Sequence, residues 1–196
     1  MLTASPDGCK RASGRWSRFS RCQRVKDQLY WSTRASTTAS FGAPVHLTAL
    51  DPGDRQFEPT FGPDGLSLFF GSNDPSGAGG EDIWTATRPA LGTPFAAPKL
   101  FSAASTSAWE HRPFMAHNGL EFFFSRSPDG NNVYHVYRMT RPSLTEPFGA
   151  PTLLTEFDQT PDANALGFIL SPDGLEAFFI RSPQAEIWHA FRSCMK

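Results

Sequence analysis

Hydrophobic residues along this chain fall in short blocks, not at helical spacing. Three of them, Leu66-Ser67-Leu68-Phe69-Phe70, Leu120-Glu121-Phe122-Phe123-Phe124 and Leu175-Glu176-Ala177-Phe178-Phe179, are five residues long. Blocks that short, bounded by Gly, Asn, Ser or Pro, predict strands and not helices. Each follows at once on a polar turn: Pro63-Asp64-Gly65, His117-Asn118-Gly119 or Pro172-Asp173-Gly174. Pro sets φ for the first corner of a type I turn, and Gly takes the positive φ that opens the next strand. The turn Asp is expected to bond its own backbone. In the first block Leu66, Leu68 and Phe70 share one face and Phe69 lies on the other. A strand apolar on both faces must be covered on both, so Phe69, Phe70, Phe123, Phe124, Phe178 and Phe179 are all expected to be buried.

The blocks belong to a longer internal repeat. An apolar–aromatic pair stands four residues before an Arg in Leu29-Tyr30…Arg34, Ile83-Trp84…Arg88, Val136-Tyr137…Arg141 and Ile187-Trp188…Arg192. Seven residues past the Arg comes Phe41-Gly42-Ala43-Pro44, Phe95-Ala96-Ala97-Pro98 or Phe148-Gly149-Ala150-Pro151. Gly65, Gly119 and Gly174 are 54 and 55 residues apart, and Phe41, Phe95 and Phe148 are 54 and 53 apart. Recurrence in every unit marks the aromatic–Arg pairs as packing elements and not as a stacking platform for a ligand. Ser127-Pro128-Asp129-Gly130 follows its Phe block and reads as the next hairpin turn inside the same unit.

Phe61-Gly62-Pro63-Asp64-Gly65…Phe69-Phe70…Asp82-Ile83-Trp84, with the matching residues Leu170 to Trp188, resembles the WD40-like (PD40) repeat of TolB-like β-propellers. The resemblance implies an all-β fold and an incomplete or open propeller arc of three to four blades. The expected organisation is a basic, poorly ordered segment at 1–24, a partial blade at 25–50, blades at 51–104 and 105–158, and a three-stranded blade at 159–196. Ser5-Pro6-Asp7-Gly8 repeats the turn, but Cys-Lys-Arg-Ala-Ser follows it in place of a Phe block, and the chain stops four residues after Arg192. Such an arc would leave strand edges open to self-association. The resemblance further implies a non-catalytic module that binds a protein or a small ligand, in a periplasmic or extracellular setting. The alternatives are a propeller hydrolase acting on glycans or peptides, and a truncated gene product without function.

Composition sharpens this reading in a few places. The 196 residues include 18 Phe against 3 Tyr, and Gly 16 with Pro 17 is a heavy load for a helical protein. Net charge is −1, yet seven basic residues from Lys10 to Lys26 face Asp7 alone. That run reads as a solvated tail and not as a nucleic-acid site. No apolar run approaches membrane-spanning length, and Met1-Leu2-Thr3-Ala4-Ser5 does not open a signal peptide. Cys9, Cys22 and Cys194 show no metal-ligand spacing, and no cofactor is expected. The loop from Ser72 to Asp82 holds three carboxylates and three glycines but matches neither a calcium loop nor a phosphate loop, and is read as a flexible hairpin. No hydrolase elbow or paired-carboxylate motif is present.

In a propeller the innermost strand of each blade lines the channel, and here it precedes each Pro-Asp-Gly turn. The aligned segments are Phe57-Glu58-Pro59-Thr60-Phe61, His111-Arg112-Pro113-Phe114-Met115 and Leu166-Gly167-Phe168-Ile169-Leu170. Polar residues at their leading ends differ from unit to unit while packing positions repeat. Glu58, Glu110, His111, Arg112, Asp162 and Asn164 are therefore the expected ligand-binding residues at the channel mouth.

Overall fold

A computed structural model describes residues 27–157, 164–182 and 186–191. These residues form an all-β structure of four small antiparallel sheets, each a meander of strands adjacent in sequence. The first sheet pairs β1 (Tyr30–Trp31) with β2 (Val45–His46). The second orders β3 (Gln56–Phe61), β4 (Ser67–Ser72), β5 (Asp82–Thr87) and β6 (Lys99–Leu100). The third repeats this with β7 (Trp109–Met115), β8 (Glu121–Ser127), β9 (His135–Thr140) and β10 (Thr152–Leu153). The fourth holds β11 (Asn164–Leu170), β12 (Glu176–Ser182) and β13 (Glu186–Phe191). The basic segment, Cys9, Cys22, Arg192 and Cys194 lie outside the described residues.

The turns form as their chemistry dictates. Gly65, Gly119 and Gly174 take φ of 68°, 69° and 73°. Asp64, Asn118 and Asp173 accept from the backbone N–H two residues on, at 2.8, 2.8 and 3.1 Å. Pro128, Asp129 and Gly130 do lie in the connection between β8 and β9, directly after Ser127 ends β8.

Alternation on the central strands couples the sheets. Leu68 and Phe70 of β4 pack toward the first sheet with Leu29, Leu50 and Trp84, while Phe69 points the other way, into a cluster with Phe122, Phe124 and Met139 of the third. Phe123 of β8 then faces the fourth sheet, where it meets Phe168, Leu170, Ala177 and Phe179. The core is thus three layers between four stacked sheets. Five of the six block phenylalanines are buried as expected, and Phe178 is not: it is 36% exposed. Among the described residues no sheet lies on the outer side of the fourth, so the face of Phe178 that corresponds to the buried faces of Phe69 and Phe123 meets no neighbouring sheet.

The repeated Arg also has a more specific job than its spacing suggested. Arg88 and Arg141 donate through Nε to the turn carbonyls of Gly65 and Gly119, at 2.9 and 2.7 Å. Their guanidinium groups lie over Phe95 and Phe148, and that of Arg34 lies over Phe41. Each of these cations therefore stacks on the Phe seven residues ahead and not on the aromatic residue four behind. Among the described residues no helix is long and apolar enough to cross a membrane.

Candidate functional site

Sheets are stitched to one another at the leading ends of β3, β7 and β11. There the N–H groups of Gln56, Glu110 and Ala165 donate to the carbonyls of Asp27, Glu81 and Tyr134 in the preceding sheet, at 2.8, 2.8 and 2.9 Å. The backbone bond repeats, but the side chains around it change. Arg55 bridges Asp27 (2.7 Å) and Glu81 (3.0 Å). The second carboxylate oxygen of Glu81 contacts Nε2 of His111, which also lies 3.2 Å from the Tyr134 hydroxyl. The His111 ring sits between Phe57 and Tyr134, at centroid distances of 5.1 and 4.9 Å. One chain of polar contacts therefore runs from the first sheet to the third.

A second row lies two residues further along the same strands. Glu58, Arg112 and Gly167 occupy the same repeat position, each inside a register shift of its strand pairing, with φ of 54°, 53° and 68°. Left-handed backbone is costly for residues with a Cβ and persists where surrounding contacts hold it. Here the contacts are reciprocal. Glu58 accepts from the Arg112 backbone N–H at 3.0 Å and from its Nε at 2.9 Å. The Arg112 guanidinium lies against Gly167, where an added Cβ would come within 3.1 Å of Nη1.

Charge in the cluster is paired: the carboxylates of Glu58 and Glu81 are both held by guanidinium groups. Burial raises the Tyr134 hydroxyl to about 12, helped by the negative charge of Glu81 and Glu58. At neutral pH it is therefore protonated and serves as a hydrogen-bond donor or acceptor, not as a base.

Of the residues expected from sequence, Glu58, His111 and Arg112 converge here. Asn164 does something different: its amide ties the fourth sheet to the β8–β9 connection, accepting from Tyr134 N–H at 2.9 Å and donating to the Asn132 carbonyl at 2.8 Å. Glu110 is fully buried. Its oxygens accept from the Thr106 N–H and hydroxyl and from Nε of Arg126 (2.8 Å), so its carboxylate joins strands inside the third sheet. Asp162 lies outside the described residues.

Sequence reading missed Arg55, Glu81 and Tyr134. The signal was present for two of them, since Glu81 and Tyr134 both stand two residues before an apolar–aromatic pair, at one repeat position.

The loop from Ser72 to Asp82 is folded onto itself. Asp82 accepts from Ala78 and Gly79 N–H, and Asp74 accepts from Ser76 N–H. Gly79 and Gly80 pass so close to the Ala108 carbonyl and the Trp109 ring that a Cβ would collide with both. Among the described residues no group of three His, Cys, Asp or Glu side chains is placed to hold a metal ion. Compared with known proteins, the chain matches no family model and no curated protein.

Proposed function

We propose that this chain is an arc of TolB-like β-propeller blades that acts as a non-catalytic binding module. Its partner surface is the row formed by Arg55, Glu58, Glu81, His111, Arg112 and Tyr134, and the partner is a protein with polar and charged side chains. One observation carries the reading. At the turn end every unit keeps an Asp or Asn making the same bond to the backbone two residues on, whereas at the leading end the units keep the backbone bond and vary the side chains around it. A repeated scaffold with a divergent polar rim is how solenoid-type folds build recognition surfaces. Because both carboxylates of the row are engaged by Arg, neither is set up as a general acid, which favours binding over glycan or peptide hydrolysis.

Photo-crosslinking in the source cells tests this. A benzoylphenylalanine at position 55 should yield a discrete protein adduct, and one at the exposed Leu91, at the turn end, should not. Arg112→Gly should remove the adduct while the melting temperature stays nearly unchanged, since Gly relieves the left-handed backbone as the ion pair is lost. Identical adducts from both positions, or none from position 55, would count against the reading.

A further inference from the structure

In two units the central strand carries an arginine toward the preceding sheet. Arg126 of β8 stands between its cross-strand partners Glu110 and His135, and Arg181 of β12 between Ala165 and Glu186. The Arg126 guanidinium donates to Glu110 and, through Nη2, to the Ala104 carbonyl at 2.9 Å, and it lies over the Phe124 and Tyr137 rings. Arg181 donates likewise to the Phe157 carbonyl at 3.2 Å and lies over Trp188.

The second unit keeps this seat but has Ser72 at the Arg position, with Gln56 and Asp82 as its cross-strand partners on the same face. Phe70 and Trp84 pair across the strands as Phe124 and Tyr137 do. Leu50, Ala104 and Phe157 stand at one repeat position, each donating its N–H to the carbonyl three residues back, at 2.8, 2.9 and 3.2 Å. Pro52 stands at the position of Thr106, whose N–H and hydroxyl both donate to Glu110 in the third unit. Pro offers neither donor, and Ser72 offers no guanidinium, so Gln56 has none of the side-chain and backbone donors that serve Glu110.

Two oxygens are left over. Gln56 donates through Nε2 to the Gly53 carbonyl at 2.9 Å, but its Oε1 is buried without a partner. Asp82 accepts from the Ala78 and Gly79 N–H groups through Oδ2, and its Oδ1 is buried without a partner. The two residues are 2% and 1% exposed. Between them in register, Ser72 Oγ accepts from Asp74 N–H at 3.2 Å, and a Cβ on Gly53 would come within 2.8 Å of the Asp74 backbone. The two connections thus close over the row. Buried acceptors without donors are costly, a carboxylate above all.

We propose that the second unit binds a small monovalent cation, of the sodium or potassium class, in place of the guanidinium. Asp82 Oδ1, Gln56 Oε1 and the Leu50 carbonyl are its protein ligands. Water completes the shell and accepts from Trp84 Nε1, which is also buried without a partner. One carboxylate supplies one negative charge, which a monovalent ion balances as Arg126 balances Glu110. Calcium takes roughly six to eight oxygens and is held by several carboxylates in its dedicated loops, whereas this row has one. The proposal stands independently of the polar row.

Thermal unfolding of the full chain at constant ionic strength tests this, in potassium, sodium, calcium or tetramethylammonium chloride. The midpoint is expected to rise saturably, by about 2–4 °C, in potassium or sodium over tetramethylammonium, which is too large for the seat. Ser72→Arg, which supplies the guanidinium from the chain itself, and Asp82→Asn should each remove that dependence. A bound thallium(I) NMR resonance in the parent chain, displaced by potassium, keeps the test decisive if neither variant folds. Equal midpoints in all four salts, or no bound thallium resonance, would overturn the proposal, since a buried water would then serve the two oxygens. So would an ion dependence that survives Ser72→Arg, or one that calcium alone produces.

Discussion

The third and fourth sheets have closely related sequences and unequal surroundings. Phe123 is fully buried and its counterpart Phe178 is 36% exposed; Val136 is fully buried and its counterpart Ile187 is 76% exposed. The strands and turns form equally in both, with the same pairing through the central strand. Secondary structure in this chain is therefore set within a unit, while burial is set by the next unit. This is how repeat folds divide their stability between units and interfaces.

Substitutions can break that comparison. The largest effect is expected at the block phenylalanines: Phe123→Ala should lower unfolding free energy by about 3–5 kcal/mol, and Phe178→Ala by about 1 kcal/mol, in denaturant titrations. Equal losses would mean that something covers the outer face of the fourth sheet in solution.

The next effect concerns the cation on each central strand. Arg126 has Glu110 as its cross-strand partner, whereas Arg181 at the same repeat position has Ala165. Glu110→Ala should cost about 3 kcal/mol by leaving Arg126 without its carboxylate in a buried site. Burial raises the Glu110 carboxyl above its ordinary 4.5, against the opposing bonds from Thr106 and Arg126. The folded chain therefore holds this proton more tightly than the unfolded chain. The group favours folding below about pH 4.5, and that contribution is lost as pH rises through its folded-state pKa. Thermal unfolding of Glu110→Gln across this range should show a shallower fall of stability with pH than the parent.

The smallest effect sharpens the seam between the two sheets. Gly167→Ala combines a φ of 68° with a Cβ 3.1 Å from the Arg112 guanidinium, and should lower stability by about 1–2 kcal/mol. Pairing it with Arg112→Gly, which clears the space, should recover part of that loss.

Much of this fold was legible in the sequence because its signals are local. The Pro-Asp-Gly turns, the five-residue blocks and the spacing of 54 and 55 residues each act within one unit, and the sheets follow them. What failed depended on neighbours. Phe178 carries the same letters as Phe69, and only the stack tells them apart. Glu110 sits beside His111 in sequence, but alternation along β7 turns it into the sheet interior while His111 faces the polar row. Glu58 and Arg112 were found as polar residues on the inner strand; their left-handed backbone and mutual ion pair were not, because nothing in the letters around them announces a register shift without Gly.

The stacking order also carries a consequence for synthesis. The central strands β4 and β8 each show one face to the sheet made before them and the other to the sheet made after them. As the chain leaves the ribosome, Leu68 and Phe70 find their partners at once, but Phe69 stays wet until Phe122 has emerged, several seconds later at about 5–20 residues per second. The second and third units thus each wait, half-finished and adhesive, for a successor, and the interval is set by the length of the repeat.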